Sequence, residues 1–345
     1  MSKVIGMDLG DKRNVIVVFD EKGNEYPAER IANTSAAIQR FYAKHPGAHV
    51  VIEAGTHSAW ISRLLHEMGH TVCIGNPRRL RAVWDADDKS DERDARILGL
   101  MYRLEPRLLH PVTHRSQEAQ AALAILKGRD QLVCVRTKLV NHVRGTLKTL
   151  GLTLKGCTPL NIHRNAPDQI PAELWPSVSF AIETIEHLSG QIKELDREID
   201  RLCADRFPET RFLLQVPGVG PKTALAYILT LEQHERFKKS RDVGAFVGLT
   251  PRRDQSGKID KQLRITKAGN PMLRRLLVNA AQHVLGPFGP DSALRRYGER
   301  IAERGGKRSK KCAVVAIARK LAVLLHRLWA DQLTYVPFPQ PSKAR

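Results

Sequence analysis

Residues 3–19, KVIGMDLGDKRNVIVVF, decide the fold. Two apolar, largely β-branched runs, 3–9 and 14–19, flank the pair Gly10-Asp11, a pattern that predicts two antiparallel strands joined by a tight hairpin. Beyond them Glu21-Lys22-Gly23-Asn24 is a turn signal, and a weaker strand is expected near residues 26–31. Residues 35–44 read as a helix with Thr34 or Ser35 as its N-cap. A buried strand at 49–53, a helix at 58–68 and a strand at 71–74 follow, closed by Gly75-Asn76-Pro77. Three antiparallel strands and then alternating helix and strand is the order of a ribonuclease-H-like sheet, and a generic α/β domain shares most of it.

The acids in this half are unevenly placed. Asp8 sits inside the first apolar strand and Glu53 closes the fourth. A carboxylate in a run built for burial costs free energy unless it is paired or metal-bound. In a ribonuclease-H-like sheet strands one and four are neighbours, so the two acids would meet. Residues 84–95, WDADDKSDERDA, then place Asp85, Asp87, Asp88, Asp91, Glu92 and Asp94 together in a chain of net charge +20. Like charges this close raise one another's pKa unless something offsets them. Hard divalent cations, which take oxygen ligands, would do so; the plainer alternative is a solvated helix start. On a helix Asp91 and Asp94 share a face, yet Asp87 lies four residues before Asp91, so spacing leaves the choice of acids open. Four converging acids would hold two Mg²⁺ ions at the roughly 4 Å separation used in in-line phosphoryl displacement.

Composition bounds the partners. The 345 residues suffice for two or three domains. The excess of 56 Lys+Arg over 36 Asp+Glu points first to nucleic acid and second to an anionic membrane surface. No run of about 18 uncharged apolar residues predicts a spanning helix. The N-terminal run reads as a strand rather than a signal peptide, because charge and turn residues follow at once. Cys73, Cys134, Cys157, Cys203 and Cys312 form no CxxC pair and read as reduced, mostly buried thiols of a cytoplasmic protein, not as a zinc site.

The second half is helical in pattern. Leu132, Val135, Leu139, Val143, Leu147 and Leu150 form one apolar stripe; Ile185, Leu188, Ile192, Leu195, Ile199 and Leu202 form a heptad stripe. The expectation is a coiled-coil spacer that dimerises, with an intramolecular helical hairpin as the alternative and residues 153–176 as a Pro-containing linker. Arg129, Arg136, Lys138, Arg144 and Lys148 on the first helix are candidate phosphate contacts. Residues 216–224, VPGVGPKTA, resemble a helix-hairpin-helix turn, in which Gly218, Gly220 and Lys222 would bind a phosphate without reading sequence. In residues 246–258, FVGLTPRRDQSGK, Ser256 reads as part of a polar loop whose Arg252, Arg253 and Lys258 would lower the cost of ionising its hydroxyl and hold phosphate charge. Lys267 and the helix at 271–284, with Arg274 and Arg275, follow. The basic loop 304–311 offers Lys307, Arg308, Lys310 and Lys311 to nucleic acid, ahead of a helix at 313–329. Residues 337–345 read as a disordered Pro-rich tail.

Several short phrases together carry a family resemblance: Ile5-Gly6-Met7-Asp8, Ile52-Glu53-Ala54-Gly55, Gly75-Asn76-Pro77, Lys89-Ser90-Asp91-Glu92-Arg93-Asp94-Ala95 and Arg252-Arg253-x-x-Ser256-Gly257. In this order they resemble the insertion-sequence transposases with a RuvC-like DEDD domain, relatives of the Piv DNA invertase now known as bridge-RNA-guided recombinases. The resemblance spans roughly residues 3–330. It implies that Asp8, Glu53, Asp91 and Asp94 are the metal-holding catalytic tetrad, with Asp85, Asp87 and Asp88 as surroundings, and that Ser256 is the nucleophile. It further implies Mg²⁺, target and donor duplex DNA, a guide (bridge) RNA, a homodimer or homotetramer with acids and serine from different protomers, and a nucleoid-associated, non-membrane location. Where many relatives have Ser-Lys-x-Gly, this chain has Thr266-Lys267-Ala268-Gly269, which leaves Thr266 out as the attacker. The expected architecture is α/β plus α. A ribonuclease-H/RuvC-like domain (1–106) precedes a helical coiled-coil and linker region (107–207), a mainly helical transposase domain with a helix-hairpin-helix (208–335) and a disordered tail (336–345). The alternatives are a junction resolvase or nuclease without a covalent intermediate, and a non-catalytic architectural DNA-binding protein.

Overall fold

A computed structural model describes residues 3–84, 90–256 and 259–339, and the chain divides into two compact units, Met1–Arg115 and Ser116–Arg345. The first contains β1 (Val4–Asp8), β2 (Arg13–Phe19), β3 (Glu29–Ala32), α1 (Ser35–Tyr42) and β4 (His49–Glu53). It continues through α2 (Ser58–Glu67), β5 (Thr71–Gly75), α3 (Pro77–Trp84) and α4 (Asp91–Leu104). The five strands form one mixed sheet in the order β3-β2-β1-β4-β5. β1 pairs antiparallel with β2 and parallel with β4, so strands one and four are neighbours. This mixed α/β unit is consistent with a ribonuclease-H-like transposase domain. The third strand begins at Glu29 rather than near residue 26: Tyr26 is exposed, and only an isolated Phe19–Glu25 bridge precedes β3.

Both faces of the sheet are covered, which explains apolar runs too continuous for one-sided burial. Ile5, Met7, Val50 and Ile52 face a core shared with Ile38 and Tyr42 of α1 and Ile61 and Leu65 of α2. Val4, Val51 and Phe19 face the other way, toward Ala95 and Leu98 of α4. Two glycines set how closely α4 lies on the sheet. A Cβ on Gly6 would stand 2.0 Å from the Ala95 carbonyl oxygen, and one on Gly99 would stand 2.4 Å from the Phe19 ring.

The second unit is mainly helical: α5 (Gln117–Lys148), α6 (Ile162–Asn165), α7 (Trp175–Arg201), α8 (Thr210–Leu214), α9 (Pro221–Leu231) and α10 (Asp242–Phe246). The hairpin β6 (Pro251–Ser256) and β7 (Ile259–Ile265) follows, then α11 (Pro271–Leu285), α12 (Ala293–Ala302) and α13 (Gly306–Ala330). α9 is buried from Thr223 to Leu231, and the Tyr227 hydroxyl donates to the Ala322 carbonyl of α13 at 2.6 Å.

α5 and α7 pair antiparallel, since Arg129 meets Asp196 while Arg136 meets Ser189. The apolar stripe of α7 is therefore covered within the chain, by Val140, Val143 and Leu147 at one end and by the main core at the other. The stripe expected on α5 holds in part: Val143 and Leu147 are buried, whereas Val135 and, beyond the helix, Leu150 are exposed and Arg136 and Val140 are buried instead. Along its 32 residues α5 passes from the main core to the core at the end of the hairpin, and no single stripe serves both. Residues 153–176, read as a linker, pack Ile162, Ala166, Ile170 and Trp175 into that second core.

Three further expectations are corrected. The basic run 307–311 is not a loop but the start of α13. The tail is docked as far as Pro339: the Ala293 amide donates to the Pro337 carbonyl at 2.9 Å, and the Arg296 guanidinium covers the Phe338 ring at 4.7 Å. All five cysteines are free, but only Cys73 and Cys203 are buried, because Cys134 and Cys312 fall on the outer faces of α5 and α13. Among the described residues no helix is long and apolar enough to cross a membrane.

Candidate acidic site and nucleic-acid interface

The register that pairs Met7 with Ile52 sets Asp8 beside Glu53 at the C-terminal ends of β1 and β4. Successive side chains alternate across a sheet. Since Met7 and Ile52 belong to the core with α1 and α2, Asp8 and Glu53 lie on the opposite face, which α4 covers. Ala95 of α4 contacts the backbone of Gly6, and Asp94 precedes it while Asp91 lies one turn earlier. Ser90 caps the helix by accepting from the Arg93 amide at 3.3 Å, which fixes Asp91 as the first helical residue. Acids there also suit the positive end of the helix dipole, a structural role that competes with ligation. Glu92 is turned to Arg96 at 3.8 Å, and Arg96 also binds Glu25 at 2.6 Å.

Asp8, Glu53 and Asp94 are half-buried and Asp91 is exposed. The donors are all carboxylate oxygens, which suits a hard divalent cation in kind. Their side chains do not form a closed cage: among the described residues no three His, Cys, Asp or Glu groups stand close enough to hold an ion. Asp8, Glu53 and Asp94 each interact with other groups of the protein. Asp85, Asp87 and Asp88 lie outside the described residues.

Ser256 is the last residue of β6, not part of a loop, on a ribbon whose first strand is exposed throughout. The run RRDQSGKID lacks the apolar alternation that marks a half-buried strand. Ser256 is in register with Ile259 and Asp254 with Lys261, so Ser256, Asp254 and Lys261 lie on one face. Arg253 and Gln255 lie on the other, where the Arg253 guanidinium forms a two-pronged bond with Asp260. That hydrogen bond holds the Asp260 carboxyl below its usual range. Arg252 is exposed beside a bulge between Pro251 and Arg253, and Lys258 lies outside the described residues.

Other expected phosphate contacts have protein partners. Lys222 binds Asp196 at 3.2 Å, and Asp196 also accepts from Arg129 at 2.8 Å. Burial alone would raise the Asp196 pKa, but the two cations outweigh it and hold the carboxyl below its usual range. Arg136 is buried and donates to Ser189, and Arg144 donates to the Cys157 carbonyl. Arg274 donates to the Val247 and Ala268 carbonyls, and Arg275 pairs with Asp130. Gly218 has a positive φ of 86°, and its turn rests on α11, where a Cβ would come within 3.0 Å of Ala280 and His283. Gly220 caps α9 with open space around it.

The cations that remain gather elsewhere. α12, α13, the base of the β6–β7 hairpin and residues 335–339 line a groove of about 2070 Å³. Lys267, Lys307, Arg308 and Lys311 are among its walls; Lys310 is exposed outside it. Arg319 and Lys320, inside the expected helix, also line it, as do Arg241, Arg264, Arg300 and Arg327, which were missed. For Arg319 and Arg327 the signal was a four-residue step along α13, with cations at 307, 311, 319 and 327 and valines at 315 and 323.

Two family models match the chain. Residues 5–151 match the model of an IS110 DEDD transposase domain, and residues 210–298 match that of the transposase IS116/IS110/IS902 family. The transposase for insertion sequence element IS1328 of Yersinia enterocolitica is 28% identical, over 92% of this chain and 94% of its own length. The y4pF/y4sB protein of Sinorhizobium fredii is 30% identical, over 96% of this chain and 85% of its own. A pilin gene-inverting protein of Moraxella bovis is 27% identical, over 83% and 81%.

Proposed function

The chain belongs to the IS116/IS110/IS902 family of insertion-sequence transposases, DNA-recombination enzymes, and from that premise we propose that it cuts and rejoins DNA through a phosphoserine at Ser256. The observation that carries the reading is the placement of Asp8 and Glu53 side by side beneath the acidic start of α4. Asp8, Glu53, Asp91 and Asp94 would hold Mg²⁺, two ions by the number of carboxylates. When bound, the metal supplies positive charge to the phosphate oxygens and lowers the cost of their developing negative charge.

Ser256 performs the exchange. Its Oγ loses a proton and bonds to phosphorus, while the phosphorus–oxygen bond to the departing strand breaks and that oxygen gains a proton. The serine ester retains the energy of the broken linkage, so a strand hydroxyl can displace Ser256 without ATP. Lys261, on the serine's face of the ribbon, is the nearest cation by register to offset charge there. A guide RNA pairing with target and donor duplexes belongs to the same reading, and the cationic surplus suits RNA and DNA alike. The turn at 216–224 would hold a phosphate as a helix-hairpin-helix does, from the open side at Gly220. Self-association, required to bring several active sites to two DNA molecules, must use a surface other than the α7 stripe, which α5 already covers. The site of action would be the nucleoid.

Denaturing electrophoresis of a labelled DNA substrate with Mg²⁺ tests this. A strand covalently linked to wild-type protein, absent with Ser256→Ala and with Asp8→Asn, is expected. Free cleaved strand and no protein adduct would replace the proposal with a metal-dependent nuclease.

A further inference from the structure

We propose that the groove between α12, α13 and the docked tail binds a single strand of nucleic acid, phosphates on its rim and bases on its floor. The inference rests on the reading of the chain as a nucleic-acid enzyme, and names which form of nucleic acid this surface takes.

Charge is the first observation. Eleven of the groove's lining residues are Lys or Arg and none is Asp or Glu. Among the described residues none of the eleven enters an ion pair, whereas Arg253, Arg275, Arg295 and Arg296, which do not line it, all do. Cations gathered without counter-charges repel one another, so an arrangement of this kind is stabilised by a polyanion. A concave surface lined on several sides fits a flexible chain better than a flat bilayer.

The floor separates a single strand from a duplex. Between the cations lie Tyr297, Val315, Val323 and Leu324, all half-buried, with Tyr335 and Val336 on the wall made by the tail. A duplex turns its phosphates outward and keeps its bases stacked within, which would leave this apolar surface without a partner. A single strand can lay bases on apolar and aromatic side chains while its backbone meets the rim. Lys320 stands 3.8 Å from the centre of the Tyr297 ring, which holds one positive charge at the floor itself. The wall is fixed by the Ala293–Pro337 hydrogen bond and by Arg296 against Phe338.

Fluorescence anisotropy with the full chain in EDTA tests the proposal, using labelled single-stranded DNA, single-stranded RNA and duplex DNA of the same sequence, each about a dozen nucleotides long. At least one single strand is expected to bind about ten-fold more tightly than the duplex, and the two single-stranded arms tell which source the groove prefers. Lys311→Glu with Arg327→Glu should weaken that binding at least about ten-fold and make its salt dependence shallower, by roughly 0.7 in slope per lost contact. Tyr297→Ser should weaken single-strand binding about five-fold, the low end for one stacked base, and leave duplex binding unchanged. Thermal melts establish that each variant is folded; should the glutamate pair fail to fold, Lys307→Gln with Lys311→Gln takes its place. Duplex binding as tight as single-strand binding, or folded charge variants that bind like wild type, would overturn the proposal. Because no metal is present, failure to cleave DNA leaves this result untouched, and loss of the single-strand preference leaves the Ser256 chemistry standing.

Discussion

Asp196 shows how one carboxylate on α7 organises its surroundings. It accepts from Arg129 of α5 and Lys222 at the start of α9, and so ties the helical hairpin to the main core. Asp196→Asn would leave two cations short of a counter-charge; the pair is partly exposed, so a loss near 1 kcal/mol is expected in urea denaturation. The sign of the pH dependence follows from a folded-state pKa below the unfolded one. The contribution is fully present above the unfolded carboxylate value and fades as pH falls through the folded value. Wild type and variant should therefore differ most at neutral pH and converge in acid; a gap that widens in acid would contradict this assignment. At the candidate acidic site, Glu53→Gln should lower strand cleavage at least a hundred-fold while thermal melts show the variant still folded. Loss of fold along with loss of cleavage would mark Glu53 as structural.

At the scale of elements, α4 sets the acids in place, and its distance from the sheet is set by residues that have no side chain. Gly99→Ala would drive a methyl into the Phe19 ring, and overpacking of this kind costs about 1–3 kcal/mol. It should also lower cleavage beyond its effect on stability, because Asp91 and Asp94 ride on the displaced helix. Gly128 in α5 is the contrasting case: an exposed helical glycine with nothing within 4 Å of its missing Cβ. Gly128→Ala should raise stability by about 0.5–1 kcal/mol and leave cleavage unchanged. Chemical denaturation and the gel assay read both variants side by side.

For the whole molecule, the surplus of 56 cationic over 36 acidic side chains makes nucleic-acid binding a matter of salt. Affinity should fall steeply between 50 and 200 mM salt, as for any protein that displaces several counterions. A chelator should abolish cleavage and leave that binding intact, because acids and cations serve different steps. Binding that disappears with the chelator would show that the metal assembles the nucleic-acid surface itself.

Much of the first unit was legible from residues 3–75. Continuous apolar runs, turn pairs and a Thr34 cap are local signals, and burial on both sheet faces left little freedom in how they combine. The resemblance singled out the acids, and the register of β1 with β4 is what brings the first two together. The second unit was less legible because its decisive facts are partnerships. Whether the heptads of α7 face another chain or α5, whether Arg136 and Arg274 meet phosphate or other groups of the protein, and whether the tail is free depend on what folding brings near them. A basic residue carries the same letter in an ion pair as in an open groove. Sequence therefore determined the kind of protein and the sheet that holds its acids; tertiary structure alone decided which cations keep their charge unmatched, since neutralisation depends on distance in space and not on position along the chain.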